Sequence, residues 1–342
     1  DRLRSRGLGD VYKRQYLDFN KGSYTTELGY EYFSGILSKK YKVELSDEPD
    51  YVIYSVFGQE HLNAKYDNCV KIFFTTECYT PNFNHCDYGI GYDRFSFDDR
   101  YFRLPLFTLF QYRKFFDMIL NRKKYTIDDL KNKKEFCNYV VSNCFVKDRR
   151  TDIFLKMCEY KKVNSGGRYM NNIGGAVSDK FAFQQKHKFS IAFENTSYCG
   201  YCTEKIVEAF AAGTIPIYWG DPRVAEDFNE NAFVNCHNYE TLDDIVARVK
   251  EIDENDKLCL SMLNESIVKY KDGDIESYLF HIFDQPKQSA FRRPKSMYTD
   301  AVEKMVSRHW FFEKYIYKYY RKLLNQFFRL NNNTLLTSRR TK

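Results

Sequence analysis

Residues 189–222, FSIAFENTSYCGYCTEKIVEAFAAGTIPIYWGDP, constrain the fold more than any other part of the chain. Phe189, Ile191 and Phe193 lie on an apolar, aromatic-rich run that predicts a strand. A polar loop with Gly200 follows it. Ile206, Val207, Phe210 and Ala211 then recur at helical spacing, and Gly213 suits the position just past a helix end, where positive φ is easy. Residues 214–219 predict a second strand, in which Pro216 removes a ladder donor and so calls for a gap or bulge. Strand, helix and strand make a βαβ unit, which implies a parallel sheet with ligands at the carboxyl ends of its strands. The loop after the first strand gathers Asn195, Tyr201, Glu204 and Lys205 at a helix N-terminus, where free N–H groups and a partial positive charge suit an anion such as a diphosphate.

The N-terminal part alternates in the same way. A helix is expected over 25–41, and strands over 42–45, 51–56 and 69–75, the second almost wholly apolar and so buried on both faces. A charged, helix-prone connector spans 128–135, after which alternation resumes with a strand from Phe136, a helix near 148–160 and a glycine-rich loop. At 342 residues two domains are expected. The first fifteen residues are set aside. Ser5 to Gln15, SRGLGDVYKRQ, is the one-frame translation of a common transposase sequencing adapter, so 1–15 reads as a disordered cloning scar and 16–19 as the end of a truncated strand.

Three blocks carry a family resemblance. They are FENT, GY-x-TEKI and TIPIYWGDP within 189–222; KIFFTTECYTPNFNHCDYGIGYDRFSFDDRYFRLPLF over 71–107; and VNSGGRYMNNIGG over 163–175. The chain resembles the bacterial-type alpha-1,3-fucosyltransferases, which move fucose from GDP-fucose to a glycan hydroxyl with inversion. The resemblance implies an α/β chain of GT-B architecture: two Rossmann-like domains with parallel sheets facing a cleft, plus a C-terminal helical tail. The expected divisions are an acceptor domain over 16–132, a GDP-fucose-binding domain over 133–290, a helical basic-aromatic tail over 291–330 and a disordered end over 331–342.

Such a transfer needs a carboxylate to take the acceptor proton and positive charge for the departing diphosphate. Glu77 follows an apolar strand directly and aligns with the family's general base; Glu60 and Asp87 are rival acids in the same half. Arg150, with Arg149 beside it, and Lys205 are the expected diphosphate ligands, a fork and a point charge. Glu204 is expected to accept from paired hydroxyls of the donor. Asn195 and Tyr201 match donor-contacting positions of the family. Each has a plainer structural reading, as a helix-dipole acid, a turn residue or a buried aromatic. The Gly166-Gly167 pair either admits the donor to the backbone or makes an ordinary turn. Asn195-Thr196-Ser197 is a glycosylation sequon, a role set aside because a glycan there would block the donor.

Other classes are disfavoured. The six histidines form no ligand pair, and no flanked DxD motif is found, Asp98-Asp99 being only an acidic pair. No metal or cofactor is therefore implied, although a divalent ion remains an optional stimulant. Ten cysteines include one CxxC, Cys199 to Cys202, without the second pair a zinc site needs, and free thiols in a reducing compartment are preferred to a redox pair. Net charge is +7, but 1–15 and 292–342 carry +3 and +10, leaving the body at −6, which argues against nucleic acid as a partner.

The tail's Phe312, Ile316, Tyr319, Leu323, Phe327 and Leu330 share one helical face, opposite a basic one. That pattern suits either an anionic membrane surface or packing back on the body. The localisation expected is cytoplasmic, peripheral on the membrane face. The reading is thus an inverting alpha-1,3-fucosyltransferase acting on an N-acetylglucosamine-containing glycan. The alternatives are another nucleotide-sugar GT-B transferase, or a catalytically silent glycan-binding or membrane-adaptor protein.

Overall fold

A computed structural model describes residues 11–19, 24–109, 112–142 and 149–294, and five positions between 319 and 326. It separates into two compact units, each built on one parallel sheet. In the first unit the strands β1 (Val11–Leu17), β2 (Lys42–Leu45), β3 (Tyr51–Tyr54), β4 (Val70–Phe74), β5 (Tyr88–Gly91) and β6 (Tyr101–Arg103) run in the order β2-β1-β3-β4-β5-β6. Every pairing in it is parallel. β3 and β4 are buried at every position, β3 as its unbroken apolar character requires and β4 with Lys71 as its one charged residue. Helix α1 (Tyr24–Leu37) brings Phe33 onto Phe74 of β4 at 5.0 Å between ring centroids.

Residues 11–15 are not disordered: they form the first half of β1, between β2 and β3. Tyr12 explains why. It is buried, packs edge-on to Tyr41, Tyr51 and Phe283, and donates its hydroxyl to the Phe283 carbonyl at 2.9 Å. Arg14 on the same face fits less well. It is 3% exposed, and its Nε and Nη1 have no hydrogen-bond partner among the described residues.

The second unit holds β7 (Glu135–Tyr139), β8 (Val163–Ser165), β9 (His187–Phe193), β10 (Ile215–Trp219) and β11 (Val234–Asn235), again all parallel, in the order β11-β10-β9-β7-β8. Helices α2 (Arg113–Leu120), α3 (Ile127–Asn132), α4 (Arg149–Tyr160), α5 (Lys180–Gln184), α6 (Glu204–Ala211), α7 (Leu242–Asp253) and α8 (Asp256–Leu263) belong to it. Pro216 produces no bulge. The register of β10 with β9 is continuous over all five residues, and β11 begins pairing only at Ile217, beyond the missing N–H. α6 ends as expected: Gly213 has φ +68°, its N–H donates to the Phe210 carbonyl at 3.0 Å, and Thr214 N–H donates to that of Ala209 at 3.1 Å, the Schellman pattern.

The unit boundaries differ from the expected 132/133 and 290/291. The first unit ends at Pro105 and resumes at Asp272, and Leu106–Lys271 make the second. Packing gives the reason. Phe115, Phe116 and Ile119 of α2 share a core with Ile206, Val207 and Phe210 of α6, so the connector belongs with the second sheet. Helix α9 (Ile275–Asp284) returns to the first, stacking Phe283 on Tyr51 at 4.2 Å. After the short helix α10 (Lys287–Ala290), Arg292 and Arg293 anchor the chain on buried Asp87. Of the expected tail beyond Pro294, the described Tyr319, Tyr320, Lys322, Leu323 and Gln326 are helical and exposed. The rest of that tail, and 331–342, lie outside the described residues.

Candidate functional site

The expected donor residues collect at the carboxyl edge of the second sheet. β9 ends at Phe193, and Glu194 continues it with its N–H on the Trp219 carbonyl at 2.8 Å. Its carboxylate is fully buried. It accepts from Thr203 N–H at 2.7 Å, from Thr203 Oγ1 at 2.9 and 2.7 Å, and from Lys205 Nζ at 2.7 Å. The loop between them turns at Gly200, with φ +88° and its N–H on buried Asp221 Oδ1 at 2.8 Å. Ser197 Oγ closes the loop onto the Gly220 carbonyl at 2.7 Å. Loop and strand end are therefore fastened to each other before α6 begins.

Lys205, in the first turn of α6, lies between two acids: Glu194 and Glu204, whose Oε1 is 3.4 Å from Nζ. Burial alone would lower the pKa of its ammonium, but Glu194 and Glu204 beside it raise it, so Lys205 is a cation throughout the physiological range. Glu204 answers in kind. Burial pushes its carboxyl up, yet Lys205 and Lys180 outweigh that and hold it down to about 2. Tyr201 is buried at 4% exposure, whereas Asn195 is exposed on the loop.

Arg149 and Arg150 begin α4 on the same edge of the sheet. Arg150 is buried, at 6% exposure. Arg149 is exposed and lies 5.2 Å over the Trp219 ring, which stacks on His237. The Gly166-Gly167 loop is tightly packed for a reason internal to the protein. A Cβ on Gly167 would fall 2.0 Å from the Val141 carbonyl oxygen, so this glycine admits the neighbouring loop.

Glu77 belongs to the first unit. It lies three residues past β4, at the carboxyl edge of that sheet, exposed, with its N–H on Thr75 Oγ1 at 3.1 Å. Among the described residues its carboxylate has no partner. Its rivals are occupied. Asp87 is fully buried and accepts from Lys71 N–H, from Arg292 and Arg293 N–H and from the Arg293 guanidinium. Glu60 receives Lys65 and the Tyr66 hydroxyl. Asp99, of the acidic pair and not one of those rivals, is held by Arg292 and His281.

The sequence reading missed Glu194 and Thr203 as the residues that hold Lys205. The signal was a carboxylate directly ending an apolar strand, nine residues ahead of a Thr in the next helix start. Cys199 and Cys202 are both free, and burial raises the Cys202 thiol well above its ordinary range, the opposite of a redox nucleophile. No group of side chains suited to a metal ion, and no helix long and apolar enough to cross a membrane, occurs among the described residues.

Comparison with known proteins agrees with this geometry. Residues 15–110 match the Alpha-(1,3)-fucosyltransferase FucT N-terminal domain, and residues 130–264 match the C-terminal model of glycosyltransferase family 10 (fucosyltransferase). An Alpha-(1,3)-fucosyltransferase FucT of Helicobacter pylori is 32% identical over 288 residues, covering 75% of this chain and 60% of that protein. The chain thus spans less than two thirds of that relative's length. The 4-galactosyl-N-acetylglucosaminide 3-alpha-L-fucosyltransferase 9 of Homo sapiens is 28% identical over 142 residues, 40% of this chain and 38% of its own. A crystal structure of an alpha1,3-fucosyltransferase superposes with a TM-score of 0.70 at 27% identity, over 84% of this chain and 93% of that one. A crystal structure of alpha1,3-fucosyltransferase with GDP-fucose gives 0.68 at 26%, over 86% and 96%. With two successive family models matched and two parallel α/β sheets of the GT-B class in common with solved members, the chain belongs to the glycosyltransferase family 10 fucosyltransferases.

Proposed function

We propose that this chain is an inverting alpha-1,3-fucosyltransferase that uses GDP-fucose and an N-acetylglucosamine-containing glycan acceptor. The observation that carries the reading is Lys205. It is an ammonium whose pKa Glu194 and Glu204 raise, in the first turn of α6 at the carboxyl edge of a parallel sheet, in a chain similar to an alpha1,3-fucosyltransferase solved with GDP-fucose. Glu77 takes the proton of the acceptor hydroxyl. That oxygen forms its bond to the anomeric carbon as the bond from carbon to the diphosphate oxygen breaks, and the electron pair leaves on GDP. Lys205 and Arg150 stabilise the charge that grows on the diphosphate. Glu204 accepts from donor hydroxyls, and Asn195 and Tyr201 complete the donor contacts.

Incubation with GDP-fucose and N-acetyllactosamine-type acceptors, followed by linkage analysis of the product, tests the activity. Turnover with UDP-sugars alone would favour a different transferase, and glycan binding without turnover would favour the silent protein. Glu77→Gln separates the roles: it is expected to cut kcat by at least about a hundredfold while GDP still binds. Unchanged transfer would remove Glu77 as the base. Exposed Tyr319 and Leu323, with Lys322 beside them, support a peripheral position on an anionic cytoplasmic membrane face.

A further inference from the structure

Glu194 is a carboxylate sealed from water at the end of a central strand, an expensive arrangement unless it does more than cap a helix. Thr203 stands at the N-cap of α6, where its own hydroxyl could cap at much lower cost, yet that side chain makes no cap bond. Its hydroxyl hydrogen goes instead to Glu194, while its oxygen accepts from Lys205 Nζ at 2.8 Å. Lys205 has three N–H donors. Glu194 takes one at 2.7 Å and Thr203 a second, so among the described residues the third is contested by Glu204 alone, at the longer 3.4 Å. The packing is built around this carboxylate: a Cβ on Gly220 would fall 2.3 Å from Glu194 Cγ.

We propose that Glu194 is a positioning residue for the donor diphosphate, acting through Lys205: with Thr203 it fixes two of the three ammonium N–H bonds and leaves the third oriented for a phosphate oxygen. The inference rests on the reading of Lys205 as a diphosphate ligand. Glu194 touches neither the sugar nor the reacting atoms in this scheme. It keeps the side-chain freedom of a lysine from being lost at the moment of binding.

The test is a double-mutant cycle read by calorimetric titration with GDP, with thermal unfolding run on each variant. Glu194→Gln keeps an acceptor for Thr203 N–H but turns an amide donor or a neutral oxygen toward the ammonium. It is expected to weaken GDP binding about tenfold, the worth of a charge-assisted hydrogen bond. In a Lys205→Met background the same change is expected to cost less than about twofold, because its effect runs through the lysine. The alkaline limit of GDP binding moves to lower pH in Glu194→Gln. Burial by itself lowers the Lys205 ammonium, and Glu194, Glu204 and Tyr201 are the groups around it that raise it.

If Glu194→Gln does not fold, Thr203→Val, which deletes the bridging hydroxyl and keeps the charge, is expected to weaken GDP binding several-fold and takes its place. Costs that add in the double variant, or an affinity unmoved by Glu194→Gln while Lys205→Met lowers it, overturn the positioning role and leave the donor site standing. GDP affinity unmoved by Lys205→Met, or no GDP binding by the unaltered chain, overturns the donor site itself and the inference with it.

Discussion

Replacing Asp87 with asparagine removes the charge on which the return of the chain to the first unit depends. The carboxylate is fully buried, and each oxygen serves two donors. Oδ2 accepts Lys71 N–H at 2.7 Å and the Arg293 guanidinium; Oδ1 accepts Arg292 N–H at 2.8 Å and Arg293 N–H at 2.9 Å. An amide has one oxygen, so whichever way it turns, its NH2 faces two donors. Two buried N–H groups lose their acceptor, each costing about 1–3 kcal/mol. The Arg293 side chain, only 8% exposed, also loses its counter-charge. Breaking a buried pair from one side costs about 3–5 kcal/mol, and that is the loss expected in the unfolding transition of the first unit. Urea denaturation followed by tyrosine fluorescence measures it. Arg293→Met in the Asp87→Asn background should recover part of it, because the uncompensated guanidinium is gone. A loss below about 1 kcal/mol would mean that the backbone amides find other acceptors and that Asp87 does not close the unit.

Two further outcomes follow from buried polar groups. Arg14→Leu is expected to stabilise the first unit by about 1–3 kcal/mol, since among the described residues Nε and Nη1 are buried without partners and Nη2 alone reaches one, Ser34 Oγ; a loss in a denaturant melt would show that the guanidinium's contacts over Tyr16 and Tyr30 outweigh its desolvation. Stability should also fall as pH drops from about 6.5 toward 4, because burial, then His61 and Lys71, lower His85 from 6.5 to about 4. Over that range the unfolded chain binds the proton that the folded chain refuses, so unfolding gains about 1 kcal/mol once solvent screening of the partly exposed ring is allowed for. His85→Gln should flatten the slope, and a slope left intact would assign it to the other histidines.

The parts of this molecule legible in its sequence are those written in local pattern. The apolar runs ending at Phe74 and Phe193, the glycine past α6 and the helix stripe of Ile206, Val207 and Phe210 all announced their elements within a few residues of the observed ends. A parallel sheet with its ligand edge at the strand carboxyl ends follows from that pattern alone, and the grouping of Asn195, Tyr201, Glu204 and Lys205 follows from their closeness along the chain.

The rest depended on partners far apart in sequence. Asp87 reads as a candidate base until Arg292 and Arg293, some two hundred residues on, are found to occupy it. The unit boundary at Pro105 depends on which sheet receives Phe115 and Phe116, and amphipathic spacing reveals an apolar face without naming its mate. Val11–Gln15 reads as foreign matter by its codons, yet Tyr12 finds three aromatic rings and a carbonyl, and the strand forms with Arg14 buried at a cost. Glu194 is the same lesson at the site. A carboxylate at a strand end advertises a ligand, and only its burial against Thr203 and Lys205 shows it holding its own chain's donors instead. Asp87 and Glu194 spend their carboxylates on buried donors, and this separates them from Glu77, whose carboxylate is exposed and holds no donor among the described residues.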